Sequence, residues 1–135
     1  MAKTFKVRIL TPSEVVVDEE VEKIFTKTIN GELEFLAGHA PIILSTIPCI
    51  TTIYDLNGTK KELFTSKGIV NIIDKELVFC CDSAEYPEKI DLSRAEEAKK
   101  RAEKRIKDSE KYDDERARLA LDRAVARIEL KKHSF

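Results

Sequence analysis

The residues with the most chemistry to offer stand late in the chain: Ile90-Asp91-Leu92-Ser93-Arg94-Ala95, then Arg101, Arg123 and Arg127. An arginine guanidinium is a planar cationic fork that suits the oxygens of a phosphate. A helix opening at Asp91 adds N-terminal amides that carry partial positive charge. Arg101 follows Arg94 by seven residues, on roughly the same face of a helix. Arg123 and Arg127 are spaced i, i+4 and also share a face. Such a set is suited to an anion. A plainer reading needs no ligand: Asp91 caps a helix, Arg94 pairs with Glu97 or Asp91, and Arg123 pairs with Glu115, in exposed pairs of little energy. No glycine-rich phosphate loop accompanies these arginines, so the set is not a hydrolytic P-loop.

Other reactive residue types are sparse. Glu32 and His39 lie in the stretch Gly31–Pro41, but one Glu and one His with no third ligand nearby make a poor metal or acid–base site. No nucleophile–base constellation is present, so an enzyme in its own right is not expected. Arg116, Arg118, Arg123, Arg127, Lys131 and Lys132 make the last segment basic on its outer faces, either as a solvated helix face or as a contact for an acidic partner. His133 reads as an exposed tail residue. Cys49, Cys80 and Cys81 are odd in number, and Cys80 and Cys81 point to opposite faces of a strand, so all three read as reduced thiols in a cytosolic chain.

The elements that must position these residues divide the chain in two. All four glycines (31, 38, 58, 68) and all four prolines (12, 41, 48, 87) precede Ile90. Residues 1–90 carry 10 basic and 14 acidic side chains, a net −4, and residues 91–135 carry 14 and 11, a net +3. An acidic body with a basic tail points to an acidic partner or a polyanion for the tail. Near-equal acid and base in the helices, with no aromatic stacking pattern, make a basic-helix nucleic-acid binder the weakest reading. No stretch approaches the ~20 apolar residues that span a bilayer.

Alternation at Phe5, Val7 and Ile9 predicts a strand that Thr11-Pro12 ends. Val15–Val17, Val21–Thr28, Pro41–Ile47, Cys49–Leu56, Glu62–Ser66, Ile69–Asp74 and Leu77–Cys81 follow as strands, and Gly31–Ala40 reads as a loop with a short apolar stretch, Leu33 to Leu36. Asn57-Gly58 predicts a two-residue hairpin with positive φ at both positions. The expected core is Phe5, Val7, Ile9, Ile24, Ile43, Ile53, Phe64, Ile72 and Phe79. Frequent turns and many short strands predict an all-β sandwich or barrel. From Asp91 the period becomes helical: Ala95, Ala98, Ala102 and Ile106 form one stripe, and Ala117, Ala120, Leu121, Ala124 and Ile128 another. Asp91, or Ser93 with Glu96, starts the first helix; Ser109 and Asp113-Asp114 start the second. Two alanine stripes predict an antiparallel hairpin with a thin seam, able to detach, extend or repack on a partner.

A β-sandwich followed by an alanine-seamed hairpin resembles the ε subunit of bacterial F-type ATP synthase. KVRILTPSEVVVDEEVEKI is similar to that family's opening strands. GELEFLAGHAPII (Gly31 to Ile43) resembles its G-E-x-G-x-x-P-G-H-A-P signature, SKGIVNI (Ser66 to Ile72) its S-G-G-x-x-x-I run, and IDLSRAEEAKKRAEKRI its linker and first helix. Glu34 and Lys67 stand where the family pattern has Gly, and Ala37 where it has Pro. The resemblance implies a β-sandwich of about ten strands over residues 1–86 that docks on the γ subunit and the c-subunit ring. It implies a regulatory helical hairpin over residues 87–135 that folds against the sandwich or opens into the α/β head to restrain ATP hydrolysis. Ile90-Asp91-x-x-Arg94-Ala95 matches the family's nucleotide motif. By the same resemblance Glu85 lies near adenine, Arg101 sits beside the motif, and Arg123 and Arg127 close on the phosphates. ATP is then a regulatory ligand that holds the hairpin down, with no cofactor required. Gly31, Glu32, Gly38 and His39 would face the c ring, and Arg116, Arg118, Lys131 and Lys132 would contact the head. The implied location is peripheral, on the cytoplasmic face of the membrane. The alternative is a free cytosolic nucleotide-sensing module with the same site.

Overall fold

The computed structural model describes residues 3–108 and 114–133. Apolar and polar side chains alternate along β1 (Phe5–Leu10), so Phe5, Val7 and Ile9 turn inward and Lys6 and Arg8 outward. The other strands are β2 (Val15–Thr28), β3 (Gly31–Leu36), β4 (Ile42–Ser45), β5 (Cys49–Asp55), β6 (Lys60–Thr65), β7 (Gly68–Ile73), β8 (Glu76–Cys81) and β9 (Ala84–Glu85). Hydrogen bonding follows the order β4-β7-β8-β1-β2-β5-β6-β9, with β3 on β2. The β1–β8 pair is parallel and the others are antiparallel.

β2 is the strand common to two layers. Its first half pairs with β1, and its second half pairs with β3 on one edge and β5 on the other, with a register shift between Val21 and Lys23. A bulge there bends the strand, and the sheet folds over itself into the expected β-sandwich. Val7, Ile9, Val70 and Phe79 from one layer meet Ile24, Phe35, Ile53 and Leu63 from the other in one buried cluster.

Several local expectations are corrected. The two strands expected at Val15–Val17 and Val21–Thr28 are one, because Asp18, Glu19 and Glu20 stay in the ladder opposite Arg8, Val7 and Lys6, and Lys6 Nζ lies 2.7 Å from Asp18. The stretch expected as a loop forms β3 over Gly31–Leu36, because β2 outruns β1 and its free backbone groups at Lys23–Thr28 need partners. Asn57-Gly58 does lie between paired strands, but within a four-residue connection: only Gly58 of the two has positive φ (77°), and Asp55 Oδ1 accepts from the backbone N–H groups of Asn57 and Thr59 at 2.9 Å. The two-residue turn with positive φ at both positions is Asp74-Lys75, at 55° and 65°. Ile43, expected in the core, is 69% exposed: opposite Asn71, it stands on the outer face of edge strand β4. Gly68 is required by close approach, since a Cβ there would collide with the Cys80 carbonyl.

After a 3-10 turn at Pro87–Lys89 come α1 (Leu92–Lys107) and α2 (Asp114–His133). Asp91 is the N-cap of α1: its Oδ1 accepts from the Arg94 backbone N–H at 3.2 Å. Ala95 and Ala102 of α1 and Ala117 and Ala124 of α2 are buried where the helices pack. The second start signal, at Ser109 and Asp113, lies outside the described residues. α2 also has a second apolar face. Ala126 and Leu130 pack on Phe64, Ile90 and Ile50, on the outside of the β5–β6 layer. Phe64 is therefore buried under the helix and not in the sandwich core.

Candidate functional site

β9, the 3-10 turn and the two helices enclose a cleft of about 320 Å³. The polypeptide builds it from four directions. The β9–β6 pairing sets Glu85 opposite Phe64. The turn at Pro87 presents Lys89 and the buried Ile90. The capped start of α1 brings Asp91, Arg94 and Ala95, with Ala98 and Arg101 on the following turns; α2 brings Arg127. Seven of the eight residues expected to bind ATP line this one cleft: Glu85, Ile90, Asp91, Arg94, Ala95, Arg101 and Arg127.

Arg123 lies next door. It lines an adjoining groove of about 350 Å³ with Arg101, Arg105 and Arg127, over a floor that includes Ala98, Ala102, Ala120 and Ala124. Ala98, Arg101 and Arg127 border both spaces. The small seam residues bring the helix backbones close, and arginines from both helices then converge above them. Lys89 and Ala98 were not expected in the site; Lys89 directly precedes the motif, and Ala98 was assigned only to the seam.

The pairings imagined from sequence do not form. Among the described residues, the side chains of Arg94, Arg101 and Arg123 make no ion pair or hydrogen bond. Arg127 does: its Nε donates to Glu85 Oε1 at 2.7 Å, and its guanidinium stacks 4.3 Å above the Phe64 ring. Lys131 Nζ donates to the Pro87 carbonyl at 2.9 Å, and His133 Nε2 lies 3.1 Å from Glu62 Oε1. Arg127 and Lys131 thus turn toward the sandwich, not to an outer face as expected, because the face of α2 that carries Leu130 docks there. Arg116, Arg118 and Lys132 are exposed.

β3 separates Glu32 from His39. Glu32 faces Lys27 near the β2–β3 turn, while His39 follows the other end of the strand. His39 Nδ1 is 2.7 Å from the Ala40 carbonyl, and its ring meets Phe35 edge-on. Gly31 and Gly38, with φ of 115° and 82°, begin and follow that strand. Cys80 is exposed, Cys49 and Cys81 are buried, and burial pushes the Cys81 thiol up to about 11.

Residues 4–87 match the family described as ATP synthase, Delta/Epsilon chain, beta-sandwich domain, and residues 88–132 match its long alpha-helix domain. An ATP synthase epsilon chain of Clostridium botulinum (strain Eklund 17B / Type B) is 47% identical over 132 residues, 98% of each chain. The chain belongs to the ATP synthase epsilon family. The epsilon chain of Clostridium novyi is 45% identical over 96% of this chain and 99% of its own. A chain from the Euglena gracilis mitochondrial ATP synthase (OSCP/F1/c-ring) shares the fold, with a TM-score of 0.73 at 22% identity over 97% of this chain and 81% of that one. Among the described residues, no helix is long and apolar enough to cross a membrane.

Proposed function

We propose that this epsilon chain is a non-catalytic central-stalk subunit of an F-type ATP synthase, and that its helical pair restrains ATP hydrolysis under the control of ATP. The observation that carries the regulatory part is the composition of the cleft. Glu85 and Ile90 come from the sandwich and hinge, Arg94 and Arg101 from α1, and Arg127 from α2. The cleft exists only while the helices lie folded on the sandwich. A ligand bound there favours that arrangement by mass action. The arginines and the α1 amides suit a polyphosphate, which makes ATP a regulatory ligand. No cofactor is needed.

The sandwich surface supports a docking role. Ile69 and Ile73 of β7 and Ile43 of β4 are 52%, 53% and 69% exposed on one outer face. Asn71 lies between them in the ladder. An exposed apolar face suits a protein partner, here the γ subunit. β3 and its flanking turns, with Gly31, Glu32, Gly38 and His39, would meet the c ring. In the extended form Arg116, Arg118, Lys131 and Lys132 would meet acidic segments of the α/β head. The subunit then works peripherally at the cytoplasmic face of the membrane.

Calorimetry on the isolated chain tests the ATP site. ATP is expected to bind, and Arg94→Ala to weaken it by about tenfold, the loss of one charge-assisted contact of ~1.5 kcal/mol. No heat from the wild type at millimolar ATP would sink the sensor reading. Retrieval of γ and c subunits with the chain from solubilised membranes tests the stalk assignment; a lone monomer would favour the free sensor.

A further inference from the structure

The cleft holds its own anion. Of the arginines that border it, Arg127 alone is engaged by a carboxylate among the described residues: Nε donates to Glu85 Oε1 at 2.7 Å, with both side chains about one-quarter exposed. Phe64 fixes the guanidinium from below at 4.3 Å. The other carboxylate of the cleft, Asp91, is turned to the Arg94 backbone N–H as a helix cap. Glu85 cannot drift away, because β9 is hydrogen-bonded to β6 at Phe64. Ring and carboxylate therefore hold the guanidinium from two sides on one rigid element.

Resting on the polyphosphate reading above, we propose that Glu85 is a built-in competitor for Arg127, so that a bound phosphate must displace this carboxylate and the cleft selects ligands by phosphate charge. A polyphosphate carries more charge than the carboxylate and also reaches Arg101 and Arg94, which no carboxylate among the described residues occupies. It exchanges Arg127 from Glu85 to itself and gains two further cations. Orthophosphate reaches too few of the arginines at once to win the exchange. Glu85 is on this view a positioning and specificity residue. It also ties α2 to the sandwich when no anion takes its place, so the same pair that raises the threshold for binding keeps the helix docked.

The test is calorimetric titration of the full chain with inorganic tripolyphosphate, which reads the phosphate contacts without a base. Glu85→Gln keeps the side-chain volume, and Glu85→Asp keeps the charge but withdraws it from Arg127 by one methylene. Both are expected to tighten tripolyphosphate about two- to fivefold, the fold-change matching release of one partly exposed ion pair. Glu76→Gln removes the same charge from a strand remote from the cleft and is expected to change nothing. Unchanged or weaker tripolyphosphate binding in both Glu85 variants, with wild-type ATP binding intact, overturns the competition and leaves the ATP reading standing. An equal gain from Glu76→Gln also overturns it, as a mere change in net charge. Absence of heat from both ATP and tripolyphosphate in the wild type overturns the ATP reading and the competition together.

Discussion

At the scale of single residues, environment decides chemistry more than residue type does. Cys80 and Cys81 are neighbours, yet the strand turns one to solvent and one inward. Because burial raises the Cys81 thiol to about 11, it stays protonated and unreactive where ordinary thiols begin to ionise. Iodoacetamide at pH 8 is expected to alkylate Cys80 first, with Cys49 and Cys81 reacting only after unfolding; intact-protein mass spectrometry showing rapid labelling at two or three sites would contradict this. Because the folded thiol's value is raised, its contribution to stability is complete below pH 9 and lost as pH rises toward 11. The pair Lys6–Asp18 has the opposite sense on its acid side. The hydrogen bond from Lys6 holds Asp18 below its ordinary value, so its contribution is present above that value and lost as pH falls.

At the scale of elements, α2 is the piece that joins the two halves of the molecule. One of its faces carries Ala117 and Ala124 against α1, and another carries Ala126 and Leu130 against Phe64, Ile90 and Ile50. α1 packs mainly on α2, so its place depends on how firmly α2 docks. Leu130 is fully buried in a cluster of few large side chains. Leu130→Ala is expected to cost about 2–5 kcal/mol and to release the helical pair while the sandwich core, which shares none of these residues, keeps its stability. Hydrogen exchange would show this as lost protection in α2 with unchanged protection in β1 and β8. Equal loss in both would mean that the helices and the sandwich unfold together.

At the scale of the whole molecule, the charge division has two uses. The body, residues 1–90, carries net −4 and the remainder +3. Part of this complementarity is spent internally in the ion pair of Arg127 with Glu85, beside which Lys131 donates to the Pro87 carbonyl. Opening the helices would return Arg127 and Lys131 to outside partners. Removing residues 91–135 is therefore expected to raise ATP hydrolysis by the assembled enzyme while assembly persists, since the sandwich core is complete without them. Hydrolysis that stays at the wild-type rate would refute an inhibitory helical pair.

Much was legible in the amino-acid order because the signals are local. Alternation at Phe5, Val7 and Ile9, glycines and prolines confined to the first part, and the alanine stripes after Asp91 follow from the periods of strand and helix, and they determined an all-β sandwich or barrel followed by a helical pair. Asp91 was readable as a cap for the same reason. Tertiary structure decided what depends on distant partners. Gly31–Leu36 became a strand only because β2 runs on past β1. Ile43 faced outward because of its place on an edge strand. The positive-φ turn fell at Asp74-Lys75, where strand register demanded it, despite a better turn sequence at Asn57-Gly58. Seven residues of the cleft could be named from the motif and the family resemblance, without Lys89 and Ala98, but Arg127's bond to Glu85 could not: 42 residues apart in sequence, they meet because Phe64 receives both the strand that carries one and the helix that carries the other.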